Sequence, residues 1–198
     1  MARTIAKDHD EKRAHILKTA AGVFAREGFA RASMVQVARA CGISKANIYH
    51  YYDSKDALLF DILDSYLSAL RDRICGLPMA GLEPGEKLHL IVSETLMAYE
   101  GMDHEHQIQT EGIPLLPEDQ QKVLKGYQRE MVAAMSAVLS EVAPEVLAHD
   151  PERLRGATMS VFGMLNWFYM WNSTAGRRAR ESYADLVAGI TLNGVRGL

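Results

Sequence analysis

Residues 44–51, Ser-Lys-Ala-Asn-Ile-Tyr-His-Tyr, carry the side chains best suited to recognising another molecule. Lys45, Asn47, Tyr49 and His50 supply hydrogen-bond donors and acceptors of the kind that meet base edges and phosphates, without any bond being made or broken. At helical spacing Ile48 points the other way, toward Val37 and Ala38, and leaves those polar groups on the remaining faces. Ala46 is small enough to let a helix backbone approach a groove closely. Ser33, Ser44 and Lys55 fall where helices begin, and free N–H groups at helix starts favour a phosphate.

Other chemistry finds less support. A nucleophile elbow, a P-loop, a dinucleotide fingerprint and an HExxH motif are all missing from the sequence, so an enzyme is not expected and no catalytic residue is assigned. His104 and His106, flanked by Asp103 and Glu105, raise a metal site, but residues two apart on a helix do not share a face, and no metal or cofactor is expected. Cys41 and Cys75 form no CxxC pair and read as small buried hydrophobes in a reducing compartment.

The elements that must hold residues 44–51 can be read from period and punctuation. Helical spacing recurs throughout and strand alternation does not, which predicts an all-α protein. A first helix is expected from about Asp10 to Glu27, with Ile16, Leu17, Ala20, Val23 and Phe24 on its apolar stripe and Gly28 ending it. A short helix capped by Ser33 stops at Gly42, and a second one begins at Ser44. Between them the turn Cys41-Gly42-Ile43 needs a residue tolerant of positive φ, which Gly42 supplies. The pair has the form of a helix-turn-helix, in which one helix lies across the DNA backbone and the other enters the major groove.

A longer helix is expected from Lys55 to Cys75, then a hinge over Gly76–Gly85 and a helix from about Glu86 to Tyr99. Residues 103–116 read as a broken stretch. Long helices follow from Glu118 to Val142 and from Pro151 to about Ser173, with Pro144 marking the end of the former, and a last helix runs from about Glu181 to Asn193.

Charge divides along the same line. The net charge of −3 over 198 residues is the sum of +5 in residues 1–55 and −8 in the rest. A positive head on a negative body suits a protein that offers one end to a polyanion, although a basic segment is also compatible with a merely solvated surface. There is no apolar run of the roughly 18 residues that a membrane helix requires, nor the apolar stretch of a signal peptide near the start, so a cytoplasmic protein without a membrane partner is expected.

These residues also carry a family likeness. The segments His15-Ile-Leu-Lys-Thr-Ala-Ala-Gly-Val-Phe, Glu27-Gly-Phe, Ser33-Met-Val-Gln-Val-Ala and Cys41 through Lys55 resemble, in order and without gaps, the DNA-binding domain of the TetR family. The resemblance implies a helix-turn-helix domain over 1–54, a ligand-binding and dimerisation domain over 55–198, and a homodimer on a palindromic double-stranded operator. It maps the family's DNA contacts onto Ser33, Ser44, Lys45, Asn47, Tyr49, His50, Tyr51 and Lys55, with Lys55 gripping a phosphate. Tyr52 stands where the family usually has Phe; core packing is the competing reading for it, and to a lesser degree for Tyr49 and Tyr51.

The helix from Pro151 is apolar nearly all round in its C-terminal half, and such a helix must be covered on every side. A symmetry mate is one cover and the final helix another. Phe162, Asn166, Trp167, Phe168 and Trp171, with Tyr127 and Met131 on the preceding long helix, are candidates to line a pocket for an apolar ligand, against the alternative that they are plain core. Asn166 favours the pocket, because an amide in such a stretch needs a partner. The run Gly163–Trp171, with His104-Glu-His-Gln before it, is also similar to TetR regulators that sense CoA thioesters in lipid, steroid or phenylacetate breakdown, which implies a repressor released by such an effector. Lys122, Lys125 and Arg129 could meet CoA phosphates, or be a solvated face. An activator, a repressor dependent on a co-repressor, and a helical ligand carrier with an incidental basic head stay open, and strongly salt-dependent, sequence-selective DNA binding separates the last from the others.

Overall fold

The structure, a computed structural model, describes residues 2–172, 175–195 and 197, with backbone alone for residues 2–8. Among them lie ten α-helices, one 3₁₀ turn and no strand, in keeping with the all-α expectation. The chain divides into two compact units: Met1–Tyr66 with His104–Leu124, and Leu67–Asp103 with Lys125–Leu198.

The first unit opens with α1 (Ala2–Glu27), α2 (Met34–Ala40), α3 (Lys45–Tyr51) and the start of α4 (Lys55–Cys75). Ile16, Ala20, Val23 and Phe24 of α1 are buried as their spacing requires. Gly28, at φ 77°, then ends the helix. α1 begins eight residues before Asp10, because Arg-Thr-Ile-Ala-Lys-Asp-His-Asp carries no apolar stripe for periodicity to detect yet contains no helix breaker. Ser33 caps α2 through a capping box, its Oγ accepting from the Gln36 N–H at 3.3 Å while Gln36 Oε1 accepts from the Ser33 N–H at 2.8 Å.

The expected break at 103–116 is corrected. A regular helix, α6 (Asp103–Gly112), runs into the 3₁₀ turn Ile113–Leu115. Its buried face consists of Glu105, His106, Ile108 and Gly112, so a pattern built on apolar residues could not reveal it. Lys18 on α1 donates to Glu105 Oε1 at 3.1 Å, and the Tyr66 hydroxyl meets His106 Nδ1 at 3.0 Å. His104 is exposed, so the two histidines do face different ways. Gly112 lies so close to Leu59 that an added Cβ would sit 3.3 Å from Leu59 Cδ1.

The second unit holds α5 (Pro84–Ala98), most of α7 (Glu118–Val142), the single turn α8 (Pro144–Leu147), α9 (Pro151–Trp171) and α10 (Arg177–Val195). Pro144 therefore opens a short turn instead of only ending α7, as proline's fixed φ permits at a first helical position. The expected end of α9 at Ser173 lies outside the described residues. α5 packs chiefly on α10, where Leu88, Ile91, Val92 and Leu96 face Ala184, Val187 and Ala188 in a buried seam. Small residues on α10 let the two backbones draw close. No helix among the described residues is long and apolar enough to cross a membrane.

Candidate nucleic-acid interface

The turn before α3 is built by one glycine. Gly42 sits at φ 68°, and the flanking bonds Gly42 N–H to Arg39 O (3.2 Å) and Ile43 N–H to Ala38 O (3.0 Å) close the end of α2. Cys41 beside it is buried, and burial pushes its thiol pKa up. Ser44 then caps α3, its Oγ accepting from the Asn47 N–H at 3.1 Å. α3 has a single buried residue, Ile48, which is wholly inaccessible and lies on the side packed against α2. Lys45, Asn47, Tyr49 and His50 are all exposed, Tyr51 is half-buried, and Ser33 and Ser44 are exposed at the two caps. A seven-residue helix thus buries one side chain and leaves five exposed, with Tyr51 between the two.

Behind α3 stands an ionic cluster that no motif signalled. Tyr52, just past α3, is 7% exposed and donates its hydroxyl to Asp61 Oδ2 at 2.5 Å. The same carboxylate takes the Arg13 guanidinium, with Nε at 3.1 Å from Oδ2 and Nη2 on Oδ1. Burial, followed by the bond to Asp61 and its charge, pushes the Tyr52 pKa far above the ordinary tyrosine value. The hydroxyl that distinguishes Tyr52 from Phe is therefore a structural donor linking the end of α3 to α1 and α4.

The Lys55 side chain is held within the protein. Its ammonium donates to the carbonyls of Phe29 (2.7 Å), Ala30 (3.2 Å) and Ala32 (3.0 Å) and lies 4.5 Å from the Phe29 ring centroid. An ammonium has three donors, and all three are engaged in holding the α1–α2 loop. The Lys55 ammonium is therefore engaged within the protein, and a phosphate contact at this residue falls to its backbone N–H in the first turn of α4 as a proposal.

The seven residues considered for ligand contact differ in burial. Phe162, Phe168 and Met131 are buried, whereas Tyr127 and Asn166 are half-buried. Arg71 covers the Tyr127 ring at 5.0 Å, and Asn166 Oδ1 accepts from the Tyr99 hydroxyl at 2.8 Å, so the partner that the amide needs comes from α5. Trp167 and Trp171, candidates for the same pocket as Phe162, face outward, 61% and 59% exposed. Phe168 stacks on Tyr183 at 4.7 Å, with Trp171 edge-on to both. Lys122, Lys125 and Arg129 are all exposed. Cys75, expected to be buried, is exposed: it comes one residue after Ile74, which holds the core position.

Comparison with known proteins places this geometry. Residues 16–62 match the model for bacterial regulatory proteins of the tetR family, and residues 81–195 match the tetracyclin repressor-like C-terminal domain. The chain belongs to the TetR family. TetR-family proteins are DNA-binding regulators and not enzymes, which agrees with the missing catalytic motifs. A TetR-family transcriptional regulator from Bordetella parapertussis 12822 is 33% identical over 94% of this chain and 96% of its own, with a TM-score of 0.85. The transcriptional repressor KstR2 of Rhodococcus jostii RHA1 is 30% identical over 48% of this chain and 45% of its own length. A crystal structure of AibR in complex with isovaleryl coenzyme A and operator DNA shares the fold, with a TM-score of 0.75 at 23% identity over 90% of this chain and 97% of that one. Across three curated relatives the match spans only 25% to 45% of the relative's length.

Within the TetR fold, two polar residues escaped sequence reasoning for the same reason. Arg180 sits in an Arg-Arg-Ala-Arg run ahead of Glu181, where the last helix is expected to begin, yet it belongs to α10 and is 2% exposed, donating to Leu96 O and Ala175 O at 3.2 Å each and lying 3.7 Å from Asp103. Tyr99 ends α5 with its hydroxyl buried, and burial raises its pKa well above the usual tyrosine value. Charged and hydroxyl residues inside a fold leave no periodic trace.

Proposed function

We propose that this TetR-family regulator is a homodimeric repressor that reads a palindromic operator through α3 and is released by a small hydrophobic effector, an acyl or aromatic acyl CoA thioester. The observation that carries the DNA reading is the exposure of Lys45, Asn47, Tyr49 and His50 around a single buried anchor, Ile48. In this reading residues 1–54 meet DNA, with Ser33, Ser44 and Tyr51 beside those four, and residues 55–198 hold the effector and the dimer contact. The protein works in the cytoplasm, where its operator is.

Dimerisation is supported by the outer faces of α9 and α10. Met159, Trp167, Met170, Trp171, Leu186 and Ile190 are each 49% to 61% exposed, an apolar load that a soluble surface rarely carries in one place. A two-fold mate is the occupant that also makes sense of the head, because two copies of α3 set about one helical turn of DNA apart read a palindrome.

For the effector, the supporting facts are the AibR complex with isovaleryl coenzyme A and the hydrogen bond from buried Tyr99 to Asn166, which belongs to the same compact unit as Phe162, Met131 and Tyr127. The change on binding passes along α4, whose residues belong to both units, and the effector weakens operator binding by its differential affinity for the two states of the dimer. A thermal-shift screen of acyl-CoA and aromatic acyl-CoA thioesters, with DNA release measured for each stabilising compound, tests this. Stabilisation and release by a thioester support the reading. Stabilisation by the free acid and not by its thioester contradicts it.

A further inference from the structure

α3 does not build its outer surface alone. Tyr51, its last residue, has the imidazole of His9 stacked on its ring, with centroids 5.0 Å apart and planes at 26°, while His50 meets it edge-on at 5.8 Å and 85°. His9 comes from the part of α1 that precedes its apolar stripe. Its side chain is 55% exposed, with Nδ1 3.9 Å from Oδ1 of the adjacent Asp10. An exposed imidazole held flat over a phenol ring gains the attraction of an offset aromatic pair, and in return it limits the rotation of that ring. Beside the stack, a groove of about 260 Å³ is lined by Glu11, Lys12 and His15 of α1 and by Asn47 and Tyr51 of α3. Tyr51, one of the side chains assigned above to DNA, thus leans on α1.

We propose that His9 is a positioning residue for DNA recognition: stacked over Tyr51, it fixes the ring at the C-terminal end of α3 and so sets how Tyr51 and His50 meet the duplex. The inference rests on the DNA-binding reading of α3 and adds a residue of α1 to it. Because His9 acts through Tyr51, its effect depends on the aromatic face and not on a charge, and it disappears when Tyr51 is absent.

The test uses the full-length chain and a duplex selected by the wild type from a random-sequence pool, with affinity read by fluorescence anisotropy. His9→Ala weakens binding to the selected duplex about three- to tenfold, the worth of one aromatic pair, and leaves affinity for mixed-sequence DNA unchanged. His9→Phe and His9→Tyr restore affinity to within about twofold, since both keep the stack. In a Tyr51→Ala background, His9→Ala has no further effect. Circular dichroism confirms that each variant keeps its helices. Unchanged affinity in His9→Ala, failure of both aromatic replacements to restore it, or a loss that persists without Tyr51 each overturns the proposal. A wild-type protein that enriches no sequence from the pool overturns the DNA reading itself, and the role of His9 falls with it.

Discussion

Removing the Asp61 carboxylate should destabilise the first unit through the groups it strands. In Asp61→Ala, the Tyr52 hydroxyl, 7% exposed, loses its acceptor in a place that water reaches poorly. An orphaned buried hydroxyl costs about 1–3 kcal/mol. The Arg13 side chain is 42% exposed, so water replaces much of its lost ion pair and that part is worth about 0–1 kcal/mol. The expected total is about 1–4 kcal/mol. Tyr52→Phe removes the same bond but strands nothing, because Asp61 keeps Arg13, and should cost only about 1–1.5 kcal/mol. The double variant has no hydroxyl left to orphan, so it should be no less stable than Asp61→Ala, with a coupling of about 1 kcal/mol or more between the two sites. Urea unfolding at fixed protein concentration measures all three, with midpoint shifts of about 1 M expected for Asp61→Ala at an unchanged slope. Equal costs for the two single changes, or strict additivity in the double variant, would refute the reasoning.

Other expectations follow from the same geometry. Lys55→Met should lower thermal stability by loosening the α1–α2 loop, yet leave the salt dependence of operator binding unaltered, whereas Lys45→Ala should reduce the slope of log K against log salt by about 0.9 if Lys45 meets a phosphate. Trp167→Glu on the outer face of α9 should weaken self-association about 30- to 1000-fold, the range of an interfacial hot spot, as measured by sedimentation velocity; an unchanged dimer would place the contact elsewhere. Tyr52 and Tyr99 have folded-state pKa values raised above that of a free tyrosine, so their contribution is complete below about pH 10 and declines as the pH rises beyond it, since only the unfolded chain then loses those protons. Stability measured from pH 8 to 11.5 should therefore fall at the alkaline end, and Tyr52→Phe should flatten that fall.

How much could be read before the structure depended on which physical signal a feature leaves in the sequence. α4 and α7 came out with the bounds the sequence predicts, because both carry long apolar stripes with clear ends. The helix-turn-helix was legible from two serine caps around one glycine, each with a local conformational job. α6 was not, since its buried face uses Glu105 and His106, whose burial is made tolerable by Lys18 and Tyr66 from distant parts of the chain. Lys55 shows the same limit at the level of one residue. Its type and position suit a phosphate, but the three carbonyls that claim it lie 23 to 26 residues away and cannot be seen from spacing. The aromatic residues of α9 read as needing cover, and the coordinates show how each stands: Phe168 is buried, whereas Trp167 and Trp171 face out.

The claim on which the rest depends is that the exposed side chains of α3 read duplex DNA from a two-fold assembly. Lys45→Ala combined with Tyr49→Ala tests it most directly, with binding to the selected duplex and sedimentation measured on the same preparation. The account predicts a dimer that has lost sequence-selective binding. A dimer that still discriminates its selected duplex from mixed-sequence DNA as well as the wild type does would contradict it.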